Sequence, residues 1–332
     1  MKPILGILLG EATGIGPELV AKLCATNKLQ AHCRPVLIGD ARVLEMGKKI
    51  ARVEFQVEII EEVSQVKWDK TFPMLDQKNF DPANLILGEI NRLSGKITGD
   101  MLISAVKLTK QGLLDGFVYA PLHKAALKYG GHNFEDEQKL FAHYLEWDKP
   151  SSEMNVLKDL WTSRVTSHIP LESVCANLSI DTILIAIRMV NRTLQQAGIV
   201  HPRVAVAAVN PHSGESGLCG RQEIDIIAPA VNIAKEEGIV AMGPYPSDTI
   251  FINAFKGQYD AVVTMYHDQG QIAMKLMGFQ FGVTVAGGLP YAITTPAHGT
   301  AFDIVGQGIA NPEAIEQAVI IASRMVNKAA GD

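Results

Sequence analysis

Short apolar runs that alternate with helical segments constrain this chain more than any other feature. Residues 4–9 and 261–265 have the length and composition of buried strands. Polar or glycine-containing stretches follow them, among them residues 266–270, which we expect to form a loop, and segments with helical periodicity come next. This β-α-β-α order predicts an α/β fold with a mostly parallel sheet. In such a sheet ligands bind beyond the carboxyl ends of the strands, so those polar stretches are the candidate functional segments.

The same patterns predict further elements along the chain. We expect strands at residues 35–39, 55–60, 116–120 and 204–209. We expect helices at residues 19–24, 99–114, 134–145, 179–197 and 222–237, with further helices from Asp40, from residues 246–249 and from Glu313. Residues 64–96 contain Pro73 and Pro82 and few periodic signals, so we expect them to be irregular.

Bulk properties exclude several classes of protein. A net charge of -5 argues against nucleic acid as the main partner. No run approaches the ~18 apolar residues of a membrane span, and no signal-peptide cleavage site follows the apolar N-terminus. The four cysteines, at positions 24, 33, 175 and 219, lack metal or redox spacing. Reduced thiols in a cytoplasmic protein are therefore expected.

The first strand leads into a glycine-containing turn. Gly14 and Gly16 permit a tight connection to a helix, and Pro17 suits the first helical turn. One interpretation is a phosphate or carboxylate bound at the helix N-terminus, and the alternative is a plain βα turn. The third glycine and the acidic residue of a dinucleotide-binding fingerprint are missing.

Three histidines, His168, His212 and His267, follow predicted strands or β-like segments. Three imidazoles with an open fourth position are typical of a catalytic zinc-type site. Asp248 and Asp268 are candidate partners that would fix the imidazole tautomers. Each histidine taken singly is more often a structural or surface residue, so their convergence is an inference from shared position.

Lys124 lies just past the predicted strand at residues 116–120. A lysine at that place suits an acid/base group or an anion ligand, and the alternative is a solvated surface lysine. A second polar, glycine-rich stretch, residues 298–312, precedes the last predicted helix. Two such stretches rich in His, Asp and Gly, close together in the chain, are difficult to explain as scaffolding.

Eight segments, in order, resemble the motif series of the 4-hydroxythreonine-4-phosphate dehydrogenase (PdxA) family: GEATGIGPE, PLHK, GGHN, VTSHIP, NPHSGESG, SDT, YHDQG and GGLPYAITTPAHGTAFD. The resemblance covers residues 6–312, nearly the whole chain. That family is similar in fold to the isocitrate and isopropylmalate dehydrogenases. The resemblance therefore implies a two-lobed α/β/α fold of that type.

The resemblance also implies cofactors. The segment HGTAFDIVGQGIANP resembles the adenine-binding loop of the decarboxylating dehydrogenases, which bind NAD or NADP without a Rossmann fingerprint. The cofactor-binding residues implied in this way are His298, Gly299, Thr300, Asp303 and Asn311, together with Gly14 and Gly16. A divalent metal, Zn²⁺ or alternatively Mg²⁺, Co²⁺ or Mn²⁺, is implied at His168, His212 and His267.

A homodimer is implied as well, with both subunits supplying ligands to sites at the interface and with Asp248 and Asp268 keeping each site intact. We expect one lobe, residues 1–122 and 276–332, to carry the N-terminal loop and the adenine loop. The other lobe, residues 123–275, is expected to carry most metal ligands and the dimer interface. The length of the chain favours two lobes, and the absence of a linker implies that the chain crosses between them more than once.

Five positions align with substrate contacts of the family: His132, Asn133, Lys275, Thr284 and Ile293. Three depart from the usual residues, with Asn133 for threonine, Thr284 for asparagine and Ile293 for arginine. The segment Glu11-Ala12-Thr13 also replaces a common Asp-Pro-Ala. An isoleucine cannot hydrogen-bond an anion, so the missing arginine predicts a weakened grip on phosphate. We therefore expect a catabolic relative rather than the vitamin B6 enzyme.

The expected activity is NAD(P)- and metal-dependent oxidation of a hydroxyl beta to a carboxylate, followed by decarboxylation. Lys124 or a water on the metal would carry the proton. The candidate substrates are 4-hydroxythreonine 4-phosphate, threonate or erythronate 4-phosphate, and a terephthalate-type cis-dihydrodiol carboxylate. A phosphate acyltransferase would share the general fold but would need neither the histidines nor the HGTAFD loop. A non-catalytic protein that binds small acids would not need the histidines and the HGTAFD loop together.

Overall fold

The computed structural model describes residues 1–26, 28–68, 71–278 and 281–329. Twelve strands lie in these ranges: β1 Ile4–Leu8, β2 Arg34–Gly39, β3 Val57–Ile60, β4 Phe72–Asp76, β5 Gly116–Tyr119, β6 Ser152–Leu157, β7 Leu160–Arg164, β8 Val204–Ala207, β9 Ala241–Tyr245, β10 Ala261–Thr264, β11 Val283–Gly287 and β12 Ala292–Pro296.

Eleven α-helices lie in the same ranges: α1 Gly16–Ala25, α2 Leu29–His32, α3 Ala41–Ala51, α4 Arg92–Lys110, α5 Lys124–Tyr129, α6 Glu137–Leu145, α7 Ile180–Gln196, α8 Ala228–Glu236, α9 Ser247–Ala254, α10 His267–Leu276 and α11 Glu313–Ala329. Short turns of 3₁₀ or π type lie at Val63–Gln65, Pro82–Asn84, Leu171–Ser173, Cys175–Asn177, Pro211–Gly217 and Glu223–Ile227.

The chain folds into two compact units and passes between them twice. Unit 1 comprises Met1–Asp148 and Leu289–Asp332, and unit 2 comprises Lys149–Gly288. The sequence analysis placed the boundaries earlier, at residues 122 and 275. Helices α5 and α6 pack on α4, which keeps the chain up to Asp148 in unit 1. Strand β11 pairs with β6, which keeps the chain up to Gly288 in unit 2.

The strands of unit 1 lie in the order β3-β4-β2-β1-β5-β12, and the pairs between them are parallel. Strand β1 lies inside this sheet, and its residues Leu5, Ile7 and Leu8 are fully buried. A parallel strand buried on both faces is expected to show a continuous apolar run, as β1 does. The mostly parallel α/β fold predicted from the sequence is confirmed.

The strands of unit 2 lie in the order β11-β6-β7-β10-β8-β9. Strands β7, β10, β8 and β9 are parallel, whereas β6 is antiparallel to both of its neighbours. The sequence analysis did not predict the β6–β7 hairpin. Both strands are mostly buried, yet polar residues such as Asn155 and Arg164 interrupt their apolar pattern.

The prediction that residues 64–96 are irregular is wrong in two places. Strand β4 pairs with β3 and β2 despite Pro73. Helix α4 begins at Arg92, with the Asn91 side chain accepting a hydrogen bond from the Ser94 amide at 2.9 Å. Glycine at position 99 weakens the helical signal, and it has a packing reason. A Cβ atom there would lie 2.1 Å from the His132 ring.

The two stretches expected to be loops differ in outcome. Residues 266–270 are not a loop, because Tyr266 is the N-cap residue of α10 and the helix begins at His267. A glycine within this segment suggested a loop, but Gly270 lies inside the helix against Thr264. Residues 298–312 do lack regular elements, and α11 starts at Glu313 as predicted.

Within the described ranges, no single helix is long and apolar enough to cross a membrane. The pair Leu171–Asn177 and Ile180–Gln196 meets the length and composition requirements together, but the pair is bent by 93°.

Asp40 provides a stability test, because it does more than cap α3. Its carboxylate accepts hydrogen bonds from the Arg42 amide at 3.0 Å and from the Phe80 amide at 2.8 Å. Replacement by alanine removes the cap and leaves the buried Phe80 amide without its acceptor, so Asp40→Ala should lower the free energy of unfolding by about 2–4 kcal/mol. The control Asp136→Ala removes a partly exposed cap with one bond, to the Lys139 amide, and should cost about 1 kcal/mol. Equal losses in urea unfolding would contradict the additional role of Asp40.

Candidate functional site

In unit 2 the parallel pairing of β7 with β10 brings the segments that follow these strands together. The Val165 amide donates to the Thr264 carbonyl at 2.9 Å, and the Thr166 amide donates to the Met265 carbonyl at 3.1 Å. The pairing therefore extends beyond the strands themselves. As a result, the chain that carries one predicted metal ligand runs beside the start of the helix that carries another.

His168 and His267 lie side by side at this place. Their ring centroids are 5.5 Å apart, and the ring planes are inclined by 42°. Both side chains line a pocket of ≈ 310 Å³ together with Tyr266, Leu171 and Asp268. His168 has a left-handed backbone, with φ of 51°, which few residues other than glycine adopt without support.

Asp268 holds the ring of His267. The His267 Nδ1 atom lies 2.7 Å from the Asp268 Oδ1 atom. A carboxylate only accepts hydrogen bonds, so in a neutral His267 ring the proton lies on Nδ1 and the Nε2 lone pair faces away from Asp268. This is the arrangement in which a histidine binds a metal ion through Nε2.

The third histidine, His212, lies in an unusual turn after β8. From His212 to Ser216, five consecutive residues have left-handed φ values, between 44° and 79°. Four of these five residues carry side chains, which makes the conformation costly unless the surroundings hold it. The buried Glu223 carboxylate contributes that support, because it accepts from the Val209 and Asn210 amides at 2.9 and 2.8 Å.

Gln269 ties the same region together. Its side-chain oxygen accepts from the Met265 amide at 2.7 Å, and its nitrogen donates to the Ala208 carbonyl at 2.6 Å and to the Ser247 hydroxyl at 3.1 Å. These bonds join the ends of β8 and β10 to the start of α9. Asp248, one of the candidate partners of the histidines, lies exposed in the first turn of α9.

No three His, Cys, Asp or Glu side chains in the described part of the chain converge closely enough to hold a metal ion. His168 and His267 thus form a pair that His212 does not complete within one chain. The residues present still fit a metal, because the paired imidazoles face a pocket and Asp268 selects the Nδ1–H tautomer of a neutral His267 ring, which leaves Nε2 as the ligand atom.

In unit 1 the segment 298–312 is held by α1. The buried Glu18 carboxylate accepts from the Ala310 amide at 2.8 Å. Lys22 donates to the carbonyls of Gly308 and Ala310 at 2.8 and 2.7 Å. At the start of the helix, the Ile15 amide donates to the Thr300 carbonyl at 3.1 Å. Helix α1 therefore gives this irregular segment a defined conformation.

The predicted cofactor residues of unit 1 have varied surroundings. A Cβ atom on Gly14 would lie 2.9 Å from Thr300, and one on Gly16 would lie 2.4 Å from the Leu9 carbonyl. Both glycines thus permit close packing, and the turn that contains them is buried, which favours the plain βα turn over an open anion loop. Burial lowers the pKa of His298, whose Nδ1 atom lies 3.1 Å from the Gly299 carbonyl.

The remaining two cofactor candidates differ from each other. Asn311 accepts from the Glu313 amide at 2.9 Å, so its side chain caps α11. Asp303 is exposed, and its carbonyl accepts from the Gln307 side chain at 2.9 Å. Phe302, directly before Asp303, was not predicted from the sequence to have a role. Its ring stacks on His123 with centroids 5.5 Å apart and planes inclined by 7°.

Lys124 begins α5, where its ammonium group lies 3.5 Å from the buried Glu137 carboxylate. In the same unit, His132 Nε2 lies 3.0 Å from the Lys96 carbonyl and 3.5 Å from the Asp100 carboxylate. The carbonyl requires a proton on Nε2, so Nδ1 of His132 is the nitrogen left for a ligand. Asn133, the next residue, is exposed.

Three predicted substrate residues lie on strands or helices. Lys275 is exposed in the last turn of α10, and Thr284 is half-buried in β11. Ile293 lies inside β12, paired in register with Phe117, and is only 1% exposed. A substrate group does not reach a side chain with so little exposure in this structure. The Ile293 side chain therefore does not contact the substrate itself, and the predicted weaker grip on phosphate rests on the missing arginine alone.

Comparison with known proteins identifies the family. Residues 31–322 match the family described as Pyridoxal phosphate biosynthetic protein PdxA. A Pseudomonas aeruginosa protein provisionally named 4-hydroxythreonine-4-phosphate dehydrogenase 2 is 45% identical, with 97% of each chain covered. This chain belongs to the PdxA family.

Two further relatives agree with this family membership. The D-threonate 4-phosphate dehydrogenase of Cupriavidus necator is 37% identical, with 97% of this chain and 98% of the relative covered. The crystal structure of a 4-hydroxythreonine-4-phosphate dehydrogenase from Klebsiella pneumoniae matches with a TM-score of 0.86 and 34% identity, covering 98% of both chains. The resemblance predicted from the ordered motifs is confirmed.

Several residues that support the site of this PdxA family member were missed from the sequence. Glu18, Lys22, Glu223 and Gln269 each bind backbone groups of a functional loop. Glu18 is the last residue of the GEATGIGPE motif, Lys22 follows four residues later in α1, and Gln269 lies within YHDQG. Their type suggested nothing, because a Glu, Lys or Gln on a helix is most often solvated. For Glu18 and Lys22 the available signal was a polar residue between two apolar ones.

Glu11, where the PdxA family commonly has aspartate, is fully buried after β1. Its amide donates to the Pro121 carbonyl at 3.0 Å, and its carboxyl accepts from the Thr13 hydroxyl at 3.3 Å. Burial raises the pKa of Glu11, and hydrogen bonds from Ser94, the His123 amide and Thr13 offset this only in part. The carboxyl at this position therefore holds its proton to a higher pH than an exposed glutamate does.

This pKa makes the effect of Glu11→Gln on stability depend on pH. A raised folded pKa adds stability that is complete below the ordinary value of 4.5 and is lost as pH rises through the folded pKa. Wild type should lose up to about 1.4 kcal/mol per pH unit relative to Glu11→Gln across that window, because the amide cannot ionise. Urea unfolding from about pH 4 to about pH 8 measures the difference. The control Glu62→Gln removes an exposed carboxyl, and parallel curves for wild type and Glu11→Gln would contradict the prediction.

Proposed function

We propose that this protein is an NAD(P)-dependent dehydrogenase that oxidises the hydroxyl beta to the carboxylate of a phosphorylated four-carbon hydroxy acid of the threonate 4-phosphate type. The observation that carries the proposal is the pairing of His168 with His267, whose ring Asp268 orients, at the carboxyl ends of adjacent parallel strands. A pair of imidazoles beside a pocket suits an electrophilic site for a substrate oxygen.

The names of relatives support this class of substrate. The Cupriavidus relative is named for D-threonate 4-phosphate, and the Pseudomonas relative for 4-hydroxythreonine 4-phosphate. Both names describe a phosphorylated four-carbon hydroxy acid, so a phosphorylated substrate is the shared element. Ile293 is buried in β12 and does not itself oppose a phosphate, so other donors would have to supply the contacts of the family arginine. The role of a catabolic relative, separate from vitamin B6 synthesis, remains our proposal.

The proposed reaction is an oxidation followed by decarboxylation. The alcohol carbon loses a hydride to NAD(P)⁺ and the hydroxyl loses a proton, which leaves a β-keto acid. The bond between the carboxylate and the α-carbon then breaks, CO2 leaves, and a proton adds to the α-carbon. For threonate 4-phosphate the product would be a three-carbon phosphorylated ketone. Lys124 Nζ, at the start of α5, is our candidate for the proton transfers.

His168 and His267 would hold a divalent metal, with His212 as the third ligand. When bound, such a metal lowers the pKa of an alcohol and stabilises a developing enolate. Asp268 contributes by holding the proton of His267 on Nδ1. NAD or NADP would bind in unit 1, where α1 fixes the segment 298–312 and where His298 has a pKa lowered by burial. A neutral imidazole is suited to stack or hydrogen-bond with an adenine.

Four other functions are the alternatives to this proposal. Synthesis of vitamin B6 and oxidation of a cis-dihydrodiol carboxylate use the same chemistry on other substrates. A phosphate acyltransferase or a small-acid binding protein would not require the oriented His267. The proposed reaction reduces NAD(P)⁺, a cofactor of cytoplasmic metabolism, so we propose a cytoplasmic location.

We also propose a homodimer in which each site takes histidines from both subunits. Two observations support it. One chain pairs only two of the three histidines, and unit 2 carries large apolar side chains with high exposure. Leu218 is 84% exposed and Leu276 is 83% exposed. Apolar residues this exposed favour a protein interface.

A substrate panel tests the activity. D-threonate 4-phosphate should give the highest kcat/KM among D-threonate and D-erythronate 4-phosphates, 4-hydroxythreonine 4-phosphate and a carboxylated cis-dihydrodiol, with NADH and CO2 formed together. Unphosphorylated threonate is the control for the phosphate requirement. If 4-hydroxythreonine 4-phosphate were better by a hundredfold, a gap of roughly 2.7 kcal/mol in transition-state binding, the proposed catabolic role would be wrong.

Mixed dimers test the metal site. Homodimers of His168→Ala, His212→Ala or His267→Ala should lose bound metal and activity together, whereas His201→Ala, an exposed histidine of the same unit, should lose neither. Mixing His212→Ala with His267→Ala should restore about a quarter of wild-type activity if the two ligands come from different chains, since half the dimers then hold one intact site.

A second mixture, His168→Ala with His267→Ala, assigns the remaining ligand. It should stay inactive if the adjacent His168 and His267 of one chain serve the same site, and it should recover activity if they serve different sites. Persistent inactivity of all mixtures, with heterodimers shown to form, contradicts shared sites.

A further inference from the structure

Unit 2 contains a buried polar network that the proposed chemistry does not use. Asn155 on β6, Arg164 at the end of β7 and Gln271 on α10 are only 4%, 7% and 8% exposed. Their side chains are joined through the Asn155 oxygen, which accepts from Gln271 Nε2 at 2.5 Å and from Arg164 Nη1 at 3.3 Å. Buried polar side chains are retained at a cost unless they are satisfied, so the arrangement calls for a physical reason.

Arg164 anchors the network. Its guanidinium donates to the Glu153 carboxylate at 3.0 Å and to the Ser167 hydroxyl at 2.9 Å, as well as to Asn155. Arginine keeps its charge in proteins and has no acceptor atom. Every group that faces this guanidinium must therefore present an oxygen to it.

This requirement determines the orientation of the Asn155 amide. Its oxygen faces two donors, and a flipped amide would place its NH₂ group against the Arg164 guanidinium. The Asn155 nitrogen consequently points the other way, towards Thr284 Oγ1 at 3.1 Å. Asn155 and Thr284 are register partners across the antiparallel pair of β6 and β11, which holds them opposite each other.

The fixed amide in turn determines the direction of the Thr284 hydroxyl. The oxygen accepts from Asn155, so its proton must point elsewhere. Among the described residues, Thr284 donates no hydrogen bond, and its side chain is half-buried rather than enclosed. The hydroxyl thus has a free donor, and Thr284 is one of the positions that align with substrate contacts of the family.

We propose that Asn155 is a positioning residue that, held by Arg164 and Gln271, directs the Thr284 hydroxyl as a hydrogen-bond donor towards an oxyanion of the substrate. The inference rests on the proposed function, which supplies an anionic substrate. A phosphate or a carboxylate oxygen has the required chemistry, since both accept strongly from a hydroxyl. Neither Asn155 nor Arg164 needs to touch the substrate in this arrangement.

Substitutions at Thr284 test the donor directly. Thr284→Val should raise KM for D-threonate 4-phosphate about 10- to 100-fold with a smaller change in kcat, because a bond to a charged group is lost. Thr284→Ser keeps the hydroxyl and should stay close to wild type. An unchanged KM in Thr284→Val overturns the proposal.

Asn155→Asp tests the positioning step. The carboxylate keeps the shape and both contacts of the Asn155 oxygen, but it offers an acceptor where Asn155 offered a donor. The Thr284 hydroxyl should then turn towards Asp and cease to donate to the substrate, so KM should rise as in Thr284→Val. In the Thr284→Val background, Asn155→Asp should have no further effect. Additive effects in this cycle would mean that the new charge repels the substrate directly, and they would overturn the positioning role.

Two substrates identify the oxyanion. Unphosphorylated threonate lacks the phosphate but keeps the carboxylate. If Thr284→Val weakens only the phosphorylated compound, the hydroxyl donates to phosphate, and if it weakens both compounds equally, the hydroxyl donates to the carboxylate. Both results support the proposal and differ in the group that they assign.

Calorimetric binding of D-threonate 4-phosphate separates this inference from the proposed oxidation. If wild type binds the compound without turnover and Thr284→Val binds it more weakly, the proposed oxidation is wrong and the role of Thr284 stands. If wild type turns the compound over and both proteins bind it equally well, only the role of Thr284 is wrong. If wild type does not bind the compound, both proposals are wrong.

Thermal unfolding adds a readout without substrate. Thr284→Val leaves the Asn155 nitrogen without its acceptor and should lower Tm by about 2–6 °C, and Thr284→Ser should not.

Discussion

The parallel alignment of neighbouring strands is the constraint on which the site depends. Parallel strands end at the same edge of their sheet, so the chain segments that leave them lie side by side. In unit 2 this places the segment after β7 against the start of α10, and His168 beside His267. In unit 1 it places the turn after β1 against the segments after β5 and β12, through the Glu11–Pro121 and Ile15–Thr300 backbone bonds.

Irregular segments at such an edge need a source of order, and here buried side chains supply it. Glu18 and Lys22 hold the backbone near Ala310, and Glu223 holds the backbone before His212. A hydrogen bond to a charged group contributes about 1.5–3 kcal/mol, which is comparable to the cost of fixing one or two residues. The left-handed turn from His212 to Ser216 illustrates the need, because it is strained at four residues that carry side chains.

The polar network around Arg164 is a second case in which buried side chains supply order, and here they orient the proton of a hydroxyl. A guanidinium has only donors, so it orders Asn155, and Asn155 orders Thr284. The direction of the half-buried Thr284 hydroxyl is thereby set by a buried charge two side chains away. Ile293, by contrast, aligns with a binding position in the family but is enclosed in a strand. Alignment identifies a position, whereas contacts decide what the residue at that position can do.

The sequence by itself determined the α/β class, the cap at Asp40, the start of α11 at Glu313 and membership of the family. These features depend on local periodicity, local capping chemistry and ordered motifs, which are all readable along the chain. Tertiary structure alone decided that Pro73 lies in a strand, that His132 packs on Gly99, that Glu11 is enclosed and that His168 lies beside His267. Each of these depends on what residues distant in sequence place beside the group, and one-dimensional patterns do not contain that information.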